Sequence, residues 1–321
     1  MAVRVAFLGC GGIARAHMNC LRKVEEAQLV AFCDADEPRA ASAAGEHGGK
    51  AYRDFDAMLK QEAFEALWVC LPPFAHEGQE VAAAAKGIHL FVEKPVTLAR
   101  ELANQVAAAI AEAGVLSCVG YQIRYCTHVT EARRVLAGHR VDMVAGRYLC
   151  SMKGMKGWWP SMALSGGQVV EQSTHTVDLM RYLAGDIERV YARYARREVT
   201  DTPGWDVPDY GVLAVEFANG AVGTLHSSAA YPVGGDSGVL VVCDELALDC
   251  SFSTLKVMQR TETRELRSSE DPMLTQDRTF IQAVRTGQGG EIRSSYADAA
   301  KTLAVTLAAN ESAAKGQAVA C

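Results

Sequence analysis

Apolar and polar positions follow one another in two successive regimes along this chain. Over the first 120 residues, short continuous apolar runs alternate with longer stretches of helical spacing. The runs cover residues 3–8, 28–33, 50–52, 66–70, 88–92 and 115–120. A strand buried on both faces of a sheet reads as such an unbroken run. Residues 14–26, 55–60, 74–86 and 99–113 read as helices between them, with Gly87 and Gly114 as stops. Asp54 stands where a side-chain cap would start one of these helices. Pro72 and Pro73 end the fourth run and fix a loop after it. Strand and helix alternating in this way predict an α/β fold with a doubly wound parallel sheet.

After Gly120 the pattern changes. A helix is expected over 127–137, a strand over 142–151 and a helix over 169–184, closed by Gly185. Residues 152–168 have no period. Strands are expected over 187–199, 210–218, 221–230, 238–243, 246–250 and 254–259. Asn219-Gly220 between two of them is a hairpin signal. Two helices, 274–286 and 296–314, close this part. The expectation is an N-terminal dinucleotide-binding domain over 1–121. An α+β domain with a largely antiparallel open sheet follows over 122–321.

The turn after the first strand carries the first chemical signal. Gly9-Cys10-Gly11-Gly12-Ile13-Ala14 contains G-x-G-x-x-A. In that pattern the first glycine allows a tight turn and the second lets the backbone approach a pyrophosphate. The small third residue packs the new helix on the strand. Helix N-terminal amides favour an anion there. The second strand ends in Asp34, 20 positions after Ala14, placed to accept from adenosine ribose hydroxyls. That carboxylate would repel a 2′-phosphate, so NAD is expected over NADP. A glycine-rich turn with no ligand is the plain alternative.

Composition narrows the class. The chain has 321 residues, enough for two domains with cores, and is 49% hydrophobic and 22% charged, as ordinary globular proteins are. A net charge of −6 argues against an electrostatic nucleic-acid binder. No apolar run approaches the ~20 residues of a membrane span. Residues 1–20 run straight from strand to glycine turn, without the pattern of a signal peptide. The ten cysteines include no C-x-x-C pair and mostly sit in apolar runs, which suits reduced core thiols and a cytoplasmic protein.

Taken together, the motifs resemble those of the Gfo/Idh/MocA oxidoreductases. The matching stretches are the glycine turn, Phe32-Cys33-Asp34-Ala35-Asp36, Leu71-Pro72-Pro73 with His76, and Glu93-Lys94-Pro95. Later come Gly120-Tyr121-Gln122-Ile123-Arg124-Tyr125, Ser165-Gly166-Gly167-Gln168, and Glu171-x-x-x-His175-x-x-Asp178. The resemblance implies a nicotinamide cofactor on the first domain and a sugar or cyclitol between the domains. It places Gly9, Gly11, Gly12, Ile13, Ala14, Asp34, Leu71, Pro72, His76, Glu93, Lys94 and Gln122 at the cofactor. It puts Lys94 beside the reacting hydroxyl and makes His175 an acid–base candidate. It also implies a homodimer or homotetramer built on the second-domain sheet. Four departures bear on the substrate. Glu171 stands where the family commonly has Asp, and Gln168 replaces a frequent glycine. Trp158-Trp159-Pro160 occupies a place where many members have an arginine after tryptophan, and Met273 follows Pro272 where many have tyrosine.

The residues themselves support an alcohol oxidation. That reaction needs a hydride acceptor, a base for the hydroxyl proton and groups that hold the carbon. Lys94 ends a buried run, where partial desolvation favours the neutral amine that can take a proton; a strand-end lysine in solvent is the plain alternative. On a helix over 169–184, Glu171, His175 and Asp178 share one side, and a carboxylate beside a histidine fixes its tautomer. An amphipathic helix with a solvated polar side fits the same spacing. No second histidine stands at H-x-x-x-H spacing, so no metal is expected. His76 could touch the cofactor or cap its helix. Tyr121 and Arg124 could hold a polyol, and Arg124 could equally form an interdomain ion pair. Lys156, Trp158 and Trp159 suit a sugar's hydroxyls and faces, or the tryptophans cover a core or a subunit contact. The expected function is an NAD-dependent dehydrogenase of a sugar, sugar derivative or cyclitol. Rival readings are a sugar-processing enzyme that oxidises and re-reduces its substrate on a tightly held cofactor, and a non-catalytic sensor.

Overall fold

The computed structural model describes residues 2–200 and 202–321. The chain opens with β1 (Val3–Leu8), α1 (Gly12–Leu21), β2 (Ala27–Cys33), α2 (Glu37–His47), β3 (Lys50–Tyr52) and α3 (Phe55–Gln61). It continues with β4 (Ala66–Val69), α4 (Gln79–Ala84), β5 (His89–Val92), α5 (Arg100–Ala113) and β6 (Ser117–Val119). The six strands form one parallel sheet in the order β3-β2-β1-β4-β5-β6. The order reverses between β1 and β4, which opens a ligand crevice beyond their carboxyl ends. Asp54 caps α3 by accepting from the Ala57 amide at 2.7 Å. The helix expected over 74–86 is broken. Pro73–Ala75 make one 3-10 turn, Gly78 takes a left-handed conformation, and only Gln79–Ala84 are α-helical.

Register across this sheet sets Phe32, Phe7, Trp68 and Phe91 side by side on β2, β1, β4 and β5. Their neighbouring ring centroids lie 6.1, 6.0 and 5.1 Å apart, the last pair stacked within 5° of parallel. All four are fully buried. Aromatic side chains in such a row bury large areas and add ring–ring attraction.

The second half contains α6 (Thr127–Leu136), β7 (Val141–Leu149), α7 (Met162–Ser165), α8 (Gly167–Glu171) and α9 (Thr174–Ala184). It goes on through β8 (Ile187–Ala195), β9 (Tyr210–Phe217), β10 (Val222–Ser228), β11 (Asp236–Cys243), β12 (Ala247–Ser251), β13 (Thr254–Met258) and β14 (Thr263–Arg267). The chain ends with α10 (Pro272–Thr286), α11 (Tyr296–Lys315) and β15 (Val319–Ala320). Nine strands make a sheet in the order β14-β13-β12-β11-β7-β10-β9-β8-β15. Its pairs are antiparallel except β7 with β10. Asn219-Gly220 makes the β9–β10 hairpin, with Gly220 at φ 87°. The sequence pattern did not reveal β14, whose five residues Thr-Arg-Glu-Leu-Arg are mostly exposed, nor the two-residue β15.

Two compact units result: residues through Gln122 with Asp271–Ala300, and Ile123–Glu270 with Lys301–Cys321. This corrects one expectation. Helix α10 does not complete the second domain but belongs to the first unit. Phe280 on α10 meets Trp68 and Phe91 edge-on at 5.4 and 5.8 Å, and α10 lies against α1. Helix α10 covers this aromatic row together with α1, whose His17 lies edge-on to Phe91 at 4.8 Å. Among the described residues no helix is long and apolar enough to cross a membrane.

Truncating Phe280 removes the edge contacts that close this core. Phe280→Ala is expected to lower unfolding stability by about 3–5 kcal/mol, measured by urea titration. A loss under about 1 kcal/mol would mean that α10 is not integral to the first unit.

Candidate active site

In the first unit, the expected cofactor residues gather at the carboxyl edge of the parallel sheet. Gly9 follows β1, Asp34 follows β2, Leu71 and Pro72 follow β4, and Glu93 and Lys94 follow β5. Gly9 has φ 87°, and a Cβ there would lie 2.5 Å from the Cys70 carbonyl oxygen. Only glycine makes this turn without displacing β4. Beyond it, Gly11 caps α1 and Gly12 begins it; a Cβ at either would meet nothing within 4 Å. The N-terminal amides of α1 are therefore open to an anion, with Ile13 exposed beside them and Ala14 buried underneath. The Asp34 carboxylate binds the Cys10 amide at 2.8 Å through Oδ2 and the Asp36 amide at 2.8 Å through Oδ1. It thus ties the glycine turn to the end of β2. Arg39 is exposed and paired with Asp36 at 2.9 Å. An open helix N-terminus beside a fixed acidic residue fits a dinucleotide: the amides would hold a pyrophosphate, and Asp34, held by the Cys10 and Asp36 amides, would accept from a ribose hydroxyl.

Lys94 is half-buried, and its bond to Pro95 is cis. The preceding Glu93 is buried and enters a cluster that sequence reasoning missed. His17 on α1 is only 1% exposed and lies between two carboxylates. Its Nδ1 meets both Asp277 oxygens at 2.8 and 2.9 Å, and its Nε2 meets Glu93 Oε1 at 3.0 Å. The Trp68 indole also donates to Asp277, at 3.3 Å. Glu93 Oε2 accepts from the Lys94 amide at 3.0 Å. Desolvation pulls the imidazole's pKa down, but the Asp277 charge, its hydrogen bond and Glu93 outweigh that, and His17 is raised to about 10. The nearest sequence signal was a lone histidine on the buried side of a helix. Its partners stand 76 and 260 residues away.

His76, expected at the cofactor or as a cap, is buried with Nδ1 2.5 Å from Glu80 Oε1 on α4. Its Nε2 has no hydrogen-bond partner in the structure. Tyr121 is fully buried, and Gln122 lies in the 3-10 turn over Gln122–Tyr125.

The second unit carries the other expected residues. The single helix expected over 169–184 is two, α8 and α9, broken at Gln172 and Ser173. Ser173 Oγ lies 2.8 Å from Ser227 Oγ on β10, and Tyr148 donates to Gln172 at 2.7 Å, so both side chains at the break are held. The break removes the simple four-residue relation between Glu171 and His175. Nor is the polar side solvated: Glu171, Thr174, His175 and Asp178 are all buried. Glu171 Oε2 accepts from the Trp159 indole at 2.7 Å and from the Gln172 amide. Trp159 is itself buried and meets Trp205 at 5.3 Å in a small second core with Val199, Val207 and Ala229. Trp158 packs against that core, while Lys156 is exposed. The ring of His175 meets Phe252 edge-on at 6.2 Å.

Arg124 forms an ion pair, and the pair lies inside the second unit. Its Nε and Nη2 donate to the two Asp178 oxygens at 2.7 and 2.5 Å, and Thr302 donates to Asp178 at 3.2 Å. The guanidinium also stacks 4.5 Å over the Tyr182 ring. A bidentate, buried arrangement of this kind fixes geometry on both sides. The structure thus joins Arg124 to Asp178, and Trp159 to Glu171.

A parallel sheet in this strand order, with an open glycine turn and an acidic residue after its second strand, has the form of a dinucleotide-binding domain. Two family models match the chain: the oxidoreductase family with an NAD-binding Rossmann fold over residues 3–121, and the GFO/IDH/MocA C-terminal domain over residues 136–248. The chain belongs to the Gfo/Idh/MocA family. It is 29% identical to the scyllo-inositol 2-dehydrogenase (NAD(+)) of Bacillus subtilis strain 168, over 76% of this chain and 72% of that one. It is 27% identical to the D-apiose dehydrogenase of Paraburkholderia graminis, over 98% of this chain and 88% of that one. Among solved structures, a levoglucosan dehydrogenase in complex with NADH superposes with TM-score 0.90 at 20% identity, covering 100% of this chain and 99% of that one.

The raised pKa of His17 has a consequence for stability. Below about pH 6.5 the ring is protonated in both the folded and unfolded chain, and the stabilisation is complete. As pH rises toward about 10 the folded protein keeps a proton that the unfolded chain has lost, so stability falls. His17→Gln is expected to remove this contribution, which is at most about 1.4 kcal/mol per pH unit. Urea titrations at pH 6.5, 7.5 and 8.5 read it below the range of the buried thiols. Equal slopes in both proteins would contradict it.

Proposed function

We propose that this chain is an NAD(H)-dependent dehydrogenase acting on a secondary alcohol or ketone carbon of a sugar, sugar derivative or cyclitol. The observation that carries the reading is the Glu93-Lys94-Pro95 corner. It places a half-buried lysine on the same sheet edge as the open glycine turn and Asp34. The nicotinamide, when bound, accepts and donates the hydride. Lys94 is the group that exchanges the hydroxyl proton with the substrate oxygen in both directions. His175 is the second acid–base group. Glu171, held by Trp159 and Gln172, offers a fixed carboxylate to substrate hydroxyls. Asp178 and Arg124 set the position of α9, on which His175 stands. Asp34 supports NAD over NADP. The dehydrogenases of inositol, apiose and levoglucosan among the similar proteins support a polyol substrate.

We also propose that the nine-stranded sheet joins a second copy of this chain. Helices α6 and α9 lie against one side of the sheet. On the other, Val222, Met143 and Val242 stand side by side on β10, β7 and β11, with Ala214, Thr224, Ala145 and Leu240 in the next row. Val222 is 56% exposed, Val212 53% and Met143 43%. Glu216, Thr224 and Asp249 stand in the same two rows, and His226 and Arg147 in the row of Val212, so the exposed apolar patch is bordered by polar groups, as an isologous interface with a polar rim would be. All ten cysteines are free thiols, which suits a reducing cytoplasm.

Two experiments test these readings. Purified protein is given NAD⁺ and a panel of hexoses, amino sugars, uronic acids, glycosides and inositols. NADH formation is expected with at least one of them, and Lys94→Ala is expected to lower turnover at least ~100-fold with NAD⁺ binding kept. Altered sugar without net NADH would replace this reading by oxidation and re-reduction on a held cofactor. Unchanged turnover in the variant would remove Lys94 from the chemistry. For the interface, Val222→Lys is expected to convert the oligomer to monomer in light scattering at unchanged secondary structure; an unaltered mass would exclude this face.

A further inference from the structure

We propose that His17 is a positioning residue for Lys94, acting through Glu93, and that it does so as an imidazolium clamped between two carboxylates. The proposal rests on the reading of Lys94 as the acid–base group.

Geometry assigns the charge. Each ring nitrogen faces a carboxylate, Asp277 on one side and Glu93 on the other. A neutral imidazole keeps a lone pair on one nitrogen, and that lone pair would point at an anionic oxygen. Two protons on the ring satisfy both contacts at once. All three side chains are shielded from water. Burial pushes the Asp277 carboxyl up, while the His17 charge and the His17 and Trp68 hydrogen bonds pull it down, so a cation on the ring halves the negative charge the cluster would otherwise bury. The other titratable groups near the cluster are the Cys70 and Cys20 thiols, both pushed up by burial and therefore neutral. Aromatic neighbours complete the enclosure: Phe91 lies edge-on to the imidazole at 4.8 Å, and Trp68 binds Asp277.

The same geometry assigns the role. Glu93 has one oxygen on His17 and the other on the Lys94 amide. Gly120 closes the remaining side: a Cβ there would lie 2.1 Å from Glu93 Oε1. The carboxylate is thus held from three directions, and its second oxygen ties down the backbone from which Lys94 projects. The anchor of the whole arrangement is Asp277 on α10, which holds the other nitrogen of the His17 ring. A displacement of about 1 Å at a catalytic group costs on the order of 100-fold in rate, so a clamp on this backbone has a kinetic effect. A buried ion cluster with only a structural role would change stability and leave the per-molecule rate of folded enzyme alone.

The test has two arms on the full-length, NAD⁺-saturated protein. Nitrogen-15 NMR of histidine-labelled protein, with the His17 signals assigned by their loss in His17→Gln, reads the ring directly. Both nitrogens are expected to carry protons from pH 6 to pH 8.5; an unprotonated nitrogen in that range overturns the charge assignment. The second arm measures kcat, KM and NAD⁺ affinity for His17→Gln, Gly120→Ala and their double variant. Gly120→Ala displaces Glu93 without removing a charge. Asp277→Asn stands in if either variant fails to fold. The expectation is at least a ~10-fold fall in kcat in each, NAD⁺ affinity held within about threefold, and a double variant no worse than the poorer single. Full kcat in folded variants, or losses that simply multiply, overturns the positioning role. Failure of the dehydrogenase reading looks different. It shows as wild-type silence on every substrate, and the NMR arm still decides whether His17 is the clamped cation.

Discussion

One buried cation between two buried carboxylates holds the first unit together. His17 comes from the helix of the glycine turn, Glu93 from the end of a central strand, and Asp277 from a helix that returns to this unit after the second one. Each group alone would be expensive to bury, and each is tolerable because the others are in place. The cluster sits on the aromatic row of the parallel sheet, so apolar packing and charge matching fix the same three pieces of chain. What depends on it is the position of Lys94, one residue beyond Glu93.

The second unit uses the same principle with different chemistry. Buried polar groups there are matched in pairs, Arg124 with Asp178 and Trp159 with Glu171. Glu171 is fixed at its far end by Trp159 and Gln172. That end is supported in turn by the small core around Trp205. Val199, Trp205 and Val207, between β8 and β9, thereby support the position of Glu171 through Trp159.

Local signals in the sequence were enough for the Rossmann half. The turn at Gly9, the Asp54 cap, the helix stop at Gly114 and, in the second half, that at Gly185 all depend on residues close together in the chain, and the structure has each of them. The sheet of the second half was legible in class, because its strands alternate or run apolar, except for polar β14 and the very short β15. What could not be read was long-range. Nothing near residue 277 says that its carboxylate meets a histidine 260 residues earlier, so the local pattern places α10 with the second domain and the structure packs it into the first unit. The continuous helix over 169–184 failed for a related reason. The spacing is helical, but side-chain bonds from β7 and β10 hold Gln172 and Ser173 in a break that propensity does not reveal. Asp178 and Arg124 illustrate the ambiguity of charge: a carboxylate near a histidine looked like its orienting partner, and the structure gives it a bidentate guanidinium.

The central claim is hydride transfer between a polyol carbon and the nicotinamide. The most direct measurement uses a substrate deuterated at its carbinol carbons, incubated with NAD⁺ and enzyme, followed by mass analysis of the reduced cofactor. The account requires one deuterium on the nicotinamide ring for each substrate oxidised. Reduced cofactor without the label, or substrate consumed with the cofactor left unlabelled and unreduced throughout, would contradict it.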